Sequence, residues 1–276
     1  MRNLFMFCAV VVCSSIGAAT AHGDVTMRMK VTSDVGSEKP DVSAGVTFIS
    51  PGRMAQRVDG TPEDPGTDVI FRSDRELMWI VDHGDKTYQQ VDSAAMAKVA
   101  TQIEQAKAQM QAEMAKLPPD QRALIEERMK GVMPGAPAGP APKIEYRKTG
   151  ETKTISGFEC TKYERVEDGK IEEVLWIAPH KATGFTAEDE DVFRKMGEFM
   201  EKLFAAMGPA TSERLGDEFE AVAKLGGWPI VTQSLDEDGK VLHEALVESI
   251  AHDKLSESVF DVPAGYTQKS ATLGQE

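Results

Sequence analysis

The sequence predicts an α+β fold, an antiparallel β-meander interrupted by helices. Three observations predict it. Apolar and polar residues alternate along several short runs, the period of a strand with one buried face. Three charged turns, Asp82-His83-Gly84-Asp85-Lys86, Glu167-Asp168-Gly169-Lys170 and Glu237-Asp238-Gly239-Lys240, each separate two such runs. Glycine there tolerates the positive φ of a tight hairpin. Two further stretches carry apolar residues at steps of three and four, the period of a helix.

The elements follow in order. Val25, Met27, Met29 and Val31 alternate with Thr26, Arg28 and Lys30 and mark the first strand. Ala44–Ile49 and Met54–Val58 come next, separated at Pro51-Gly52. Residues 60–66 hold Pro62 and Pro65 and read as a loop. Val69–Phe71, Leu77–Val81 and Thr87–Val91 complete the first set of strands. Over residues 93–117, Met96, Val99, Ile103, Ala106, Met110, Met114 and Leu117 form one apolar helical stripe. Pro118-Pro119 ends it, and a second helix restarts there with Leu124, Ile125, Met129 and Val132. The Pro/Gly/Ala-rich run 134–142 offers nothing to pack and reads as a loop.

Strands resume at Ile144 and continue through Phe158–Val166, Ile171–Ile177, Ile230–Leu235 and Val241–Ile250. Residues 92–143 therefore read as a helical insertion into a single β domain spanning 22–272. A boundary between two domains is the alternative. Thr186 and Asp189 have the spacing of a capping box, and Glu188–Asp191 place negative charge on a helix N-terminus. Val192, Phe193, Met196, Phe199, Met200, Leu203, Phe204 and Met207 then form a wide apolar stripe that must be covered. Gly208-Pro209 ends that helix. A third runs from Ser212 to Gly226-Gly227 with Leu215, Phe219 and Val222 inward.

Residues 1–21 read as a cleavable secretory signal. Arg2 gives the positive start, Leu4–Val12 the apolar core, and Ala19-Thr20-Ala21 the small residues before the cut. The run is too short to span a bilayer. The expected location is the periplasm, with an extracellular destination as the alternative. The 276-residue chain carries a formal charge of −14, and loss of Arg2 with the signal makes it −15. That balance excludes a nucleic-acid partner and adhesion to anionic lipid surfaces. Cys160 is the one cysteine left after the signal, so no internal disulfide forms. It sits in a strand-like run and reads as a buried structural thiol.

Enzyme chemistry finds no support. There is no Gly-x-Ser-x-Gly elbow, phosphate-binding loop or dinucleotide fingerprint. His22, His83, His180, His243 and His252 show no metal-ligand spacing, so no metal and no cofactor is expected. Asp82–Asp85 reads as a solvated turn and Glu188–Asp191 as a helix-dipole complement. Methionine is the positive signal: 14 occur, mostly on apolar faces. Such flexible, polarisable side chains adapt to varied apolar partners. Met27, Met29, Trp79, Trp176, Met196, Phe199, Met200 and Leu203 are the candidate lining of an apolar site, with ordinary core filling as the alternative.

The order of motifs resembles a known family. Leu77-Met78-Trp79-Ile80-Val81-Asp82 and Lys86-Thr87-Tyr88 precede the helical insertion with Pro118-Pro119-Asp120-Gln121-Arg122. Tyr146-Arg147-Lys148-Thr149-Gly150, Ile155-Ser156-Gly157-Phe158-Glu159-Cys160-Thr161-Lys162-Tyr163 and Trp176-Ile177-Ala178-Pro179 follow it. Phe260-Asp261-Val262-Pro263-Ala264-Gly265-Tyr266 closes the series. Over most of the mature chain this is similar to exported bacterial proteins grouped as domain of unknown function 4412. The resemblance implies a fold like that of periplasmic lipoprotein carriers: an incompletely closed antiparallel β-barrel, with helices covering a concave face that holds acyl chains. It brings no catalytic residues. The functional expectation is a non-enzymatic periplasmic protein that binds a lipid, another apolar molecule or an apolar segment of an envelope protein. The alternative is a structural or interaction module of the envelope with a solid core.

Overall fold

The computed structural model describes residues 23–60, 65–118, 121, 143–205 and 224–270. The signal segment 1–21, the helix expected after Pro119, the run 134–142 and the helix expected from Ser212 lie outside the described residues.

The first strands are β1 (Asp24–Ser33), β2 (Asp41–Ser50), β3 (Arg53–Val58), β4 (Thr67–Arg72), β5 (Leu77–Asp82) and β6 (Thr87–Val91). Helix α1 (Ser93–Lys116) follows. Then come β7 (Ile144–Ile155), β8 (Phe158–Glu167) and β9 (Lys170–Pro179), a short α2 (His180–Thr183) and α3 (Ala187–Ala205). β10 (Gly227–Leu235), β11 (Val241–Asp253), a 3-10 turn at Glu257–Phe260 and β12 (Thr267–Lys269) end the fold. Every strand predicted from alternation is present. The additions are α2, the 3-10 turn and β12, each three or four residues long and too short to show a period.

The strands form one 12-stranded sheet in the order β12-β6-β5-β4-β3-β2-β1-β11-β10-β9-β8-β7. Two meanders, β1–β6 and β7–β11, join where β1 pairs with β11. All neighbours are antiparallel except β12, which runs parallel to β6. β7 and β12 are opposite edges, so the sheet is open among the described residues.

Turn chemistry fixes the hairpins. Asp168 (φ 48°) and Gly169 (φ 88°) make the two-residue turn between β8 and β9. In the β5–β6 turn the positive φ falls on Lys86, not on Gly84 as the sequence suggests. There Asp82 accepts a hydrogen bond from the Asp85 amide at 3.0 Å and holds a longer turn.

Alternation sends two apolar clusters to opposite faces. Phe71 pairs with Met78 toward the first, and Ile70 pairs with Trp79 toward the second. On the first face β1 supplies Val25, Met27 and Met29. β11 supplies Val247 and Ile250, three residues apart. Both reach one face because the register shifts at Arg28/Met29, leaving Glu248 as the extra residue. Helix α3 packs here, through Val192, Phe193, Met196, Phe199 and Met200. The second face holds Ala55, Ile70, Trp79 and Val81, packed under Phe260 and its neighbours Leu255, Val259, Val262 and Tyr266.

Helix α1 starts at Asp92, whose carboxylate accepts the Ala95 amide at 2.8 Å. That bond holds the Asp92 carboxyl below its usual range. Of the stripe along α1, Met96 joins the first cluster.

Candidate functional site

The site is built from the first face and α3. The expected capping box starts the helix. Thr186 donates from both its amide and its hydroxyl to Asp189 at 2.8 Å, and Asp189 returns its amide to the Thr186 hydroxyl at 3.2 Å. The α3 ion pairs stay within the helix, Asp191 with Arg194 and Lys195 and Arg194 with Glu198, and Glu190 lies 3.0 Å from His180 Nδ1 of α2. Glu188–Asp191 thus serves the cap and these pairs. Among the described residues α3 makes no hydrogen bond or ion pair with the sheet. Its seat is mainly apolar, with the buried Thr47 hydroxyl on the same face.

Aromatic rings dominate that seat. Phe185 stacks on Trp228 at 5.0 Å, and Phe193 lies 4.6 Å from the same indole. Farther along, Phe199 meets Phe71 at 5.5 Å. The segment before α3 is pinned: His252 Nε2 donates to the Thr183 carbonyl at 2.9 Å. Gly184 (φ 74°) lies against that imidazole, where a Cβ would come within 2.6 Å of Nε2.

Of the predicted lining, Met27 and Phe199 are buried in this cluster, and Met29, Trp176, Met196 and Met200 pack against it half-buried. The Thr47 hydroxyl points at the Met29 sulfur, 4.0 Å away. Leu203 is half-buried on α3 and belongs to neither cluster. Trp79 is on the other face: it belongs to the second cluster and donates its Nε1–H to Gln90 at 3.1 Å. Cys160 is buried in the first cluster, and burial pushes its thiol pKa up, as expected of a structural cysteine.

The apolar face has a charged border on β7 and β8. Lys153 pairs with Cys160 and Lys162 pairs with Trp176, so both lysines stand on the first face. Lys153 Nζ lies 5.8 Å from the centre of the Trp176 ring. Lys162 is 3.1 Å from Glu151 and 4.0 Å from Glu164, and Arg147 is 3.9 Å from Glu164. Lys153 has no carboxylate partner among the described residues.

The second face contains a polar network that the sequence reading missed. Asp68 is 3% exposed. Its carboxylate lies 3.0 Å from His83 Nε2 and 3.1 Å from Arg57 Nε. His83 Nδ1 meets the Tyr266 hydroxyl at 2.7 Å. His83 is therefore not a solvated turn residue. The available signal was Asp68, an acid beside the apolar run of β4.

Among the described residues no group of three or more His, Cys, Asp and Glu is placed to hold a metal ion. No described helix is long and apolar enough to cross a membrane.

No family model matches the chain, and no curated protein matches it. Solved structures show remote likeness. An uncharacterized conserved protein from Thermus thermophilus has a TM-score of 0.43 at 9% identity, covering 88% of this chain and 89% of that one. The MucA/MucB complex of Pseudomonas aeruginosa gives 0.40 at 11% identity, over 91% of this chain and 59% of the matched chain. A LolA superfamily protein from Nitrosomonas europaea gives 0.29 at 4% identity, over 87% and 91%.

Proposed function

We propose that this chain is a non-enzymatic periplasmic binding protein that holds an apolar ligand, or an apolar segment of a partner, between α3 and the sheet. In this reading residues 22–272 form one domain, an incompletely closed barrel whose concave face α3 covers. The periplasmic location rests on the signal-like segment 1–21. The barrel reading rests on the open antiparallel sheet and on a motif order that resembles that of the exported family.

One observation carries the binding reading. Among the described residues helix α3 makes no hydrogen bond or ion pair with the sheet, and Phe193, Met196, Met200, Trp176 and Trp228 stay half-buried there. Apolar contacts are non-directional, so the helix can shift without breaking a hydrogen bond. Unbranched thioethers can repack around a guest. The Phe71–Phe199 contact favours the second reading, an envelope interaction module with a solid core.

The deciding experiment uses the delipidated mature chain. Binding of a fluorescent fatty-acid probe, with a rise in Tm on adding lipid, is expected. Saturation at one hundred times Kd stabilises the fold by about 2.7 kcal/mol. No probe signal and no Tm change across lipids and envelope extracts overturns the binding reading.

A further inference from the structure

We propose that the occupant of the α3 face is an anionic amphiphile, with its carboxylate or phosphate head at Lys153 and Lys162 and its chain along Trp176 toward α3. This rests on the binding reading and names the ligand class.

The geometry supplies both halves of such a ligand site. Toward α3 the face is apolar, with Ile155, Phe158, Cys160, Trp176 and Ala178 in one cluster. At its border two ammonium groups stand on the same side of the sheet, fixed by the pairs Lys153–Cys160 and Lys162–Trp176. Trp176 is the junction, since it packs into the cluster while carrying the Lys153 ammonium over its ring at 5.8 Å. Lysine stems lie along apolar surface and keep their charge at the edge. Lys162 already has Glu151 and Glu164 nearby, whereas Lys153 has no such partner among the described residues.

Charge complementarity selects the head group. The whole chain carries −14 and repels anions at long range. The border groups Arg147, Lys153 and Lys162 against Glu151 and Glu164 leave one net positive charge. A neutral amphiphile gains nothing from it, and a cationic one is repelled. From Trp176 on β9 to Ile49 on β2 the face crosses four strand spacings, about 19 Å, enough for a medium-length acyl chain.

The test titrates the delipidated mature chain with dodecanoate, dodecyl phosphate, dodecanol and dodecyltrimethylammonium at low ionic strength. At least one anion should bind about tenfold tighter than dodecanol, with the cation weakest. Dodecanoate and dodecyl phosphate, compared directly, distinguish a fatty-acid head from a phosphate head. Lys153→Gln should bring the anion down to the dodecanol affinity and leave dodecanol unchanged, while Lys153→Arg retains the preference. Lys153 is exposed on an edge strand, so an unchanged Tm is expected for both variants. Equal binding of anions and dodecanol by the wild type, or a Lys153→Gln variant that keeps the preference, overturns this inference and leaves the binding reading standing. No binding by any of the four overturns both.

Discussion

The two faces of the sheet are covered by opposite means. On the first, α3 rests on rings and thioethers, with no polar bond to a strand among the described residues. On the second, the C-terminal segment is pinned along its length. The Leu255 amide donates to Asp24 at 2.8 Å, and Glu257 pairs with Arg53. Arg72 donates to the Phe260 carbonyl at 3.2 Å and to Asp261 at 2.9 Å. Tyr266 meets His83, Thr267 donates its amide to Lys86 at 3.0 Å, and Lys269 reaches Asp85 at 2.7 Å. Hydrogen bonds and ion pairs fix one register, whereas apolar contacts fix only proximity. One cover is therefore held in register by polar bonds, and the other is held by apolar contact.

The sharpest way to break this comparison is to remove one ring from each cover. Phe260 is 1% exposed and sits among Ala55, Ile70, Trp79 and Val81. Phe260→Ala should cost about 3–5 kcal/mol, the usual range for a buried phenylalanine. Phe193 is half-buried on α3, and its neighbours can settle into the gap. Phe193→Ala should cost about half as much or less. Urea unfolding midpoints measure both. Equal losses would show that α3 is as rigidly seated as the C-terminal segment.

A smaller effect isolates the polar part of the pinned cover. Asp68→Ala removes the carboxylate that lies 3.1 Å from Arg57 Nε and 3.0 Å from His83 Nε2. Their side chains are 39% and 26% exposed, so water partly replaces the lost partner. The expected loss is about 1–3 kcal/mol. It should come with faster proteolysis in 255–269, because His83 is then free to turn away from Tyr266. Unchanged proteolysis would show that Phe260 alone holds the segment.

The two covers were unequally legible in the sequence. Helix α3 announces itself by its cap and its three-and-four stripe, and the strands by alternation. The pinned segment has neither period. Phe260–Tyr266 stands out only as one motif in the family-like series, and its seat depends on strands some 190 residues earlier. The pairing of β1 with β11 is equally non-local. Face assignment explains the parting of Trp79 and Trp176. Both lie in apolar strand runs, and a one-residue difference in register decides which face a ring joins. The sequence placed both on the same candidate lining, and the structure put them on opposite faces. Lys153 and Lys162 carry no signal of their own in the sequence, and only their partners Cys160 and Trp176 place them on the first face.

Acid should separate the two faces with the smallest change to the molecule. On the pinned side Arg72 holds Asp74 below its usual range through a direct hydrogen bond, Arg53 does the same for Glu257, and Lys269 for Asp85. A lowered carboxyl pKa stabilises the fold above the unfolded value, 3.8 for Asp and 4.5 for Glu, and that stabilisation is lost as pH falls through the lowered one. Asp191 on α3 is lowered too, but by Lys195 and Arg194 of its own helix. Protonating Asp191 therefore loosens a helix surface and leaves the apolar seat intact. Between about pH 5 and pH 3, hydrogen exchange corrected for intrinsic rate should accelerate in 255–269 before it accelerates in β1 and β11. Arg53→Gln should remove the part of that acid response that Glu257 contributes. If β1, β11 and 255–269 loosen together, the pins are coupled to the whole sheet. The first face then owes its permanence to the second.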